Sequence, residues 1–544
     1  MPPWKRISKW CEVPCEGDDE ISFLVNPDLE PVPVEKRSWG FFSYFGYWGV
    51  PNATIWTWST GGALVAVGLK VPAIMGAITI ANVLIIAYTC LNSLPGTKYH
   101  IGFPLSQRML FGIRGSFIGI IIRIVLSIVF YGAQSWLGGV SVSLIISGFS
   151  KSFLDMPPTF PESAQMKLRD FIGFVVFSVV QACFLYMKPE SFNALLISSC
   201  GFTLICFIAI LALCISDNGG SVGLINSDSG LTGDGYGWAW LYAMSIWYGA
   251  ISPEVLNHND FSRFAASPKK MCFGITSAIL ITGTFVPLAG LLCASSTLSK
   301  YNKMFWLPTT IVLRWLHIEY SPANRAMAVI FGLAFSISQL SFNIVANGIA
   351  GGMEMAGLLP KYINIRRGAY LTALLSWAVQ PWKFFWSSST FLDVMSSFGV
   401  VATPLIALQI ADFIVVRRME LPIDDLYTAR EDGTFFYTKG FNIRAIVVWI
   451  VSVVPSLPGL ISVESKAVHG TLQGLENFYF GNVIFAFVIP FVLYILVCWI
   501  WPPEGSNMLK GAQDKGVEVE SVRVDSASLK RDIVVASSVK TSEI

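Results

Sequence analysis

Three amides in apolar surroundings are the first residues that could do chemistry: Gln134, Asn343 and Asn347. Each offers both a donor and an acceptor, the complement of a heterocycle's edge. Asn343 and Asn347 are four apart, so on a helix they share a face, with Ser338 and Ser341 beside them. Asn52 and Thr54 flank the expected break after Pro51, and Ser252 precedes Pro253. The aromatic residues Trp48, Trp56, Phe130 and Trp247 could stack on a flat ring. Interhelical hydrogen bonding uses the same amides, so the inference rests on several of them converging. Arg123, Glu254, Glu354, Lys383 and Asp412 are ionisable groups within apolar stretches. A charge in hydrocarbon is costly, which makes each a candidate for gating or coupling, with structural pairing as the alternative. Glu354 lies two helical turns beyond Asn347. It is expected on the inner half of the same path, switching between a neutral and a paired state, with Arg123 or a loop arginine as partner.

Enzymatic chemistry has little to work with. The four histidines, His100, His258, His317 and His469, form no zinc, triad or phosphate-loop pattern. The ten cysteines lack metal or redox spacing. Cys200, Cys206, Cys214 and Cys293 read as small core residues, and Cys11 and Cys15 stand four apart without histidines. No enzyme, cofactor or metal site is expected. A formal net charge of +2 gives no concentrated basic face for nucleic acid.

The elements that position these residues must be helices in lipid. The chain has 544 residues, 53% hydrophobic and 13% charged, with a mean hydropathy of +0.59. A soluble domain carries about 25% charged residues, so the solvent here is a bilayer. Stretches of about 20 apolar residues span about 30 Å of hydrocarbon. About twelve are present, at 41–68, 71–92, 110–148, 170–187, 193–215, 238–256, 273–294, 323–350, 368–388, 390–416, 443–462 and 478–501. The third is long enough to tilt or extend beyond the hydrocarbon. The expected class is an all-α polytopic membrane protein. A polar tail over 1–40 precedes the transmembrane domain at 41–502, and a disordered tail follows at 503–544. No cleavable signal is expected, so the first apolar segment itself inserts.

Lys36, Arg37, Lys98, Arg108, Arg114, Arg263, Lys269, Lys270, Lys361, Arg366, Arg367, Arg417 and Arg418 fall on one side, with both termini. That side is expected to be cytosolic. The 295–325 loop departs from the rule. It carries Lys300, Lys303, Arg314 and Arg325 on the outer side, and its Trp306, Pro308 and Trp315 suggest an interfacial helix.

Two spans are interrupted. The first reads Tyr47-Trp48-Gly49-Val50-Pro51-Asn52, the sixth Trp247-Tyr248-Gly249-Ala250-Ile251-Ser252-Pro253. Proline removes a backbone donor, and a freed carbonyl in lipid must face a partner or a cavity. Simple kinks would produce either one. A matched pair five spans apart points instead to inverted repeats around a midplane site.

Further stretches carry a resemblance. Asn26-Pro27-Asp28-Leu29 with Trp39-Gly40, Asn259-Asp260-Phe261-Ser262-Arg263-Phe264 and Leu359-Pro360-Lys361-Tyr362-Ile363-Asn364-Ile365-Arg366-Arg367-Gly368 resemble the nucleobase:cation symporter family, in its fungal uracil, uridine and allantoin permease branch. Ser22-Phe23-Leu24, Tyr47 to Val50, Ile251-Ser252-Pro253, Ser387 to Leu392 and Val394 to Val401 are most similar to its thiamine and nicotinamide riboside permeases. The resemblance covers about residues 20–500. It implies a leucine-transporter-type fold, five plus five inverted helices and two more. It also implies uptake of a small heterocyclic solute into a fungal cell across the plasma membrane, by cation symport and alternating access. By motif, Gln134 matches the family's ring-binding glutamine and Asn347 its eighth-span asparagine. Phe130 stands where many members have a stacking tryptophan. Ser341 matches a cation-site hydroxyl of sodium-coupled members, but Phe342 replaces a threonine there. That substitution argues for protons over sodium. Glu354 stands where fungal members often carry a gating aspartate. Ile251-Ser252 replaces a lysine of uracil-type members, whereas Gln134 suits a nucleobase edge, so the solute stays open. A nutrient sensor on the same fold is the remaining alternative.

Overall fold

The computed structural model describes residues 12–13, 24, 29–187, 193–223, 231–464 and 473–506. The expected C-terminal tail from 507 onward, Cys11, Cys15 and His469 lie outside them. Each of the twelve expected spans is helical. Eight helices among the described residues are long and apolar enough to cross a membrane alone. The other four are the two interrupted spans, the 17-residue fourth (Leu168–Phe184) and the ninth, where Ile365–Leu375 is followed by a 3-10 turn at Pro381–Phe385. Apolar side chains such as Val179, Ile197, Ile205, Leu374 and Ile500 face outward, as lipid requires. The third span, Phe117–Phe149, runs 33 residues and exceeds the hydrocarbon thickness.

Local sequence sets the helix ends. Pro72, Pro268, Pro308 and Pro322 sit in first turns, where the missing N–H costs nothing. Ser321, Asn364 and Ser387 accept from the backbone N–H three residues on. The helix Pro308–Ile318 forms in the loop where an interfacial helix is expected.

The first span is helical over Phe41–Asn52, extended at Thr54 (φ −124°, ψ 164°), and helical again over Ile55–Ala63. The sixth breaks between Gly233–Gly249 and Ser252–Leu256. The sixth-span break falls between Gly249 and Pro253, and the first-span break begins two residues past Pro51. The eighth span contains a π-helical turn at Ile344–Ile349, between Pro322–Asn343 and Ala350–Leu358. The sequence reading contains no such turn.

Packing sorts the spans into two groups. The first and seventh (Pro268–Tyr301) press together, and a Cβ on Gly61 or Gly290 would strike the Pro287 or Trp58 carbonyl. The second (Val71–Asn92) packs on the sixth and seventh. The third, fourth, eighth and ninth form the other group. At the end of the bundle nearest the chain's start, Trp39 exchanges backbone hydrogen bonds with Phe264 and Ala266, both at 3.0 Å. Arg108 there donates to the carbonyls of Leu24 and Leu426, at 3.0 and 2.9 Å.

Candidate functional site

Arg123, Ser127, Phe130 and Gln134 are spaced by four, three and four residues, which aligns them on one face of the third span. The Phe130 ring lies 5.0 Å from Trp56 and 4.7 Å from Phe398, tilted by about 45° to each. Trp56 meets Phe391 edge-on at 5.6 Å and Phe385 at 6.4 Å. The indole N–H of Trp56 reaches the Ala250 carbonyl at 3.4 Å, which ties the two breaks together. Gln134 is buried, and its side-chain oxygen accepts no hydrogen bond. A buried, unmatched acceptor beside a box of rings is what a ring-bearing donor would complete.

Asn343 is fully used by the protein. Its amide donates to the Tyr131 carbonyl and to Ser135 Oγ, both at 3.0 Å, and accepts from Asn347 Nδ2 at 2.9 Å. Ser135 Oγ in turn donates to Gln181 Oε1 at 2.7 Å. Asn343 therefore fixes the third span to the eighth and orients Asn347, whose side-chain oxygen has no hydrogen-bond partner among the described residues. Asn347 sits in the π-helical turn, a distortion that often marks a functional position.

Four other expected solute contacts hydrogen-bond within the protein. Trp247 donates to Asn82 Oδ1 at 2.8 Å, and Asn82 donates to the Gly283 carbonyl at 3.1 Å, so the indole joins the sixth span to the second and seventh. Asn52 Nδ2 bonds the Trp48 carbonyl at 2.8 Å and faces Gly283. Thr54 donates to the Pro51 carbonyl at 2.8 Å, and Ser252 to Gly249 at 3.0 Å. For Thr54 and Ser252 the physical reason is shared: carbonyls at the breaks lack backbone partners, and nearby hydroxyls supply them. Of the two serines expected at a cation site, Ser341 is spent on the Ile337 and Ser338 carbonyls and on Ser199. Ser338 Oγ is buried without a partner. Among the described residues no group of three His, Cys, Asp or Glu side chains could hold a metal.

Towards the chain-start end lies a buried ion pair. Arg123 Nε stands 3.3 Å from Glu354 Oε1, both side chains 2% exposed or less, without the alignment of a hydrogen bond. Ser127 Oγ relays between them, accepting from Arg123 Nη1 at 2.5 Å and donating to Glu354 Oε2 at 3.1 Å. The side-chain oxygen of Asn257, in the amide orientation that satisfies both its ends, accepts from Arg123 Nη2 at 3.1 Å. Glu254 and Asp260 also lie within electrostatic reach of Arg123. Arg123 thus faces Glu354 within its own helix group and sixth-span groups across the divide. Beside this cluster His258 is buried among Tyr44, Tyr47 and Trp48, with neither ring nitrogen bonded. Asp412, by contrast, pairs with Arg417 at 2.8 Å and accepts from Tyr494 at 2.8 Å, an arrangement internal to the tenth and twelfth spans and the loop between.

At the other end a vestibule of about 600 Å³ opens above the rings. Trp136, Trp306, Trp382 and Phe385 line its depth, and residues of the 301–317 segment its rim. Sequence reasoning missed Phe385, Phe391 and Phe398. They lie in the ninth-to-tenth segment, where nothing in their spacing separates a site wall from ordinary packing.

Two broken helices joined at their breaks, a ring-lined site beside them, an open vestibule on one side and a buried ion pair on the other define a secondary transporter. The chain belongs to the family of permeases for cytosine/purines, uracil, thiamine and allantoin, whose model matches residues 31–501. Nicotinamide riboside transporter 1 of Saccharomyces cerevisiae is 42% identical over 500 residues, covering 91% of this chain and 83% of that protein. A thiamine transporter of the same organism is 40% identical over 499 residues, with the same coverage of each chain. Its allantoin permease is 28% identical over 500 residues, covering 91% of this chain and 79% of the permease. Among solved structures, Mhp1 in an inward-facing conformation superposes with a TM-score of 0.68 at 19% identity, covering 89% of this chain and 96% of Mhp1. Mhp1 in a closed conformation with bromovinylhydantoin bound, described as a nucleobase-cation-symport-1 family transporter, gives the same TM-score over 88% and 97%. The fold is that of this all-α transporter class.

Proposed function

We propose that the chain imports a small heteroaromatic solute of the thiamine or nicotinamide riboside kind by proton symport and alternating access. The plasma membrane is its site, with both termini in the cytosol. The observation that carries the reading is the box of Trp56, Phe130, Phe391 and Phe398 beside the unmatched Gln134 oxygen. Both solutes contain a positively charged aromatic ring, and ring faces attract such cations. The open carbonyls of Gln134 and Asn347 would accept from the solute's amino or amide N–H. The 42% and 40% identical relatives support the same choice. Proton coupling is supported by Phe342, which offers no oxygen ligand, and by Ser341, whose hydroxyl the protein itself uses. The basic residues gathered at the chain-start end support its cytosolic placement.

A uracil, uridine or allantoin substrate is the second reading, favoured by the pairing of a glutamine and an asparagine, which suits a neutral ring with alternating donors and acceptors. Uptake by permease-deficient yeast expressing the chain, with radiolabelled thiamine, nicotinamide riboside, uracil, uridine and allantoin, separates the two. Saturable uptake of thiamine or nicotinamide riboside supports the first. Uptake confined to the neutral rings supports the second. Signalling without uptake of any of the five would make the chain a sensor.

A further inference from the structure

The 295–325 segment breaks the charge rule, and the structure accounts for only half of its basic residues. Lys300 is bound by Asp217, and Arg325 donates to the Gly148 carbonyl at 2.9 Å. Among the described residues Lys303 and Arg314 have no carboxylate partner, and both line the vestibule, together with Lys167 from the start of the fourth span. Lys303 lies over the Phe305 ring at 5.7 Å and Arg314 over Tyr301 at 5.1 Å. Arg169 also lines the cavity, but Asp170 neutralises it at 3.2 Å. Lys167 and Arg314 both act on His317 at the rim. His317, at the same rim, is held below its ordinary pKa by burial and then by Arg169, Lys167 and Arg314, with Asp155 at 3.8 Å acting the other way.

A cationic mouth does not attract a cationic solute. Its walls are nonetheless flat and aromatic. Trp306 and Phe385 lie parallel at 6.3 Å (10°), and Trp136 stands 6.2 Å from Trp382. We infer that the vestibule is a separate binding site for a heteroaromatic phosphomonoester, whose ring lies against Trp306 and Trp382 while its phosphate meets Lys167, Lys303 and Arg314. Such a ligand stops there. The box beneath it, formed by Trp56, Phe130, Phe391 and Phe398, presents no basic side chain among the described residues, and Arg123 is buried and already paired. A phosphate taken deeper loses its water and gains no partner. The phosphorylated form of a solute therefore occupies the mouth and blocks it without being carried. This last step rests on the ring-site reading; binding in the vestibule does not.

The test uses the full chain in lipid nanodiscs, with nicotinamide mononucleotide and thiamine monophosphate as probes. Binding is read by quenching of tryptophan fluorescence, and blockade by uptake of the unphosphorylated partners in cells. Both probes are expected to bind and to slow uptake without accumulating. Lys303→Gln/Arg314→Gln should weaken binding about tenfold or more, since charge-assisted contacts to phosphate supply most of its hold. Lys167→Gln/Lys303→Gln, which leaves the Arg314–Tyr301 contact intact, should do the same, and uptake of the parent solute should persist in both. Affinity unchanged in both variants, no binding by wild type, or accumulation of either phosphoester would overturn the inference. Quenching needs no transport, so a failed uptake panel and a failed vestibule remain distinguishable.

Discussion

Glu354→Gln should leave solute binding intact and remove concentrative uptake. In the structure Arg123 holds Glu354 at 3.3 Å within the third and eighth spans, and Asn257 at 3.1 Å across the divide to the sixth. Glu254 and Asp260 stand in reach on that far side. A carboxylate or guanidinium with almost no water contact must be paired, neutral or relieved by movement. Glutamine takes away the charge within Arg123's own group while keeping the side chain's size. The guanidinium then has carboxylates only across the divide, so opening this end draws it away from Glu254 and Asp260 with no carboxylate left in its own group. Leaving a buried charge without its compensating partner costs about 3–5 kcal/mol. Ser127 and the glutamine oxygen still solvate Arg123, so the low end applies. About 3 kcal/mol corresponds to roughly a hundredfold lower turnover. The measurement is Vmax and accumulation ratio at external pH 5 and 7, normalised to surface protein, with solute affinity measured on purified transporter. We expect Vmax to fall about a hundredfold, affinity to change little, and the pH dependence to flatten. Normal accumulation with normal pH dependence would refute the coupling role. So would reduced expression with unchanged kinetics per molecule, which would show that the pair only holds helices together.

Gln134→Ala and Asn347→Ala should each raise the uptake KM by about tenfold to a hundredfold, the scale of 1–3 kcal/mol for a lost buried hydrogen bond, with surface expression retained; unchanged KM in both would remove this site. Trp247→Phe should leave KM unaltered but lower thermal stability by about 1–3 kcal/mol, because Asn82 Oδ1 loses its donor; a changed KM with normal stability would return Trp247 to the solute path. Uptake should collapse with a protonophore and be indifferent to replacing sodium by choline at fixed pH, and strict sodium dependence would show that Ser338 or Ser341 serves an ion after all.

Helix number, the two breaks and the loop helix at 308–318 were legible because they follow from lipid itself. Span length is set by hydrocarbon thickness, and a proline's missing donor shows in one sequence position. The site was less legible, for a reason visible in Asn343 and Asn347. Both are amides, both lie on one helix face, and both are buried. One is consumed by Tyr131 and Ser135, and the other keeps an open oxygen. Spacing reports which residues share a face, not how many partners the facing helix supplies. Trp247 shows the same limit, since Asn82 stands far away in sequence. The rings Phe385, Phe391 and Phe398 are invisible for the opposite reason: an aromatic side chain on a buried face is the ordinary state of a membrane bundle.

The Arg123 cluster joins what the sequence could and could not show. Glu354 was conspicuous as a carboxylate in an apolar run, and Arg123 stood out as a charge in the third span. Their stripe continues to Ser127, Phe130 and Gln134 on one helix face, so the helix that holds the ring also holds the ion pair two turns below it. A solute seated on Phe130 and Gln134, as proposed, would press on Trp56 and, through its bond to the Ala250 carbonyl, on the break of the sixth span. That span also carries Glu254 and Asn257. The ring site and the ion pair are therefore connected twice, once within the rigid third span and once through the broken sixth. Only the second route crosses between the two helix groups. Occupancy of the ring site can then bias Arg123's choice between partners without any long-range relay.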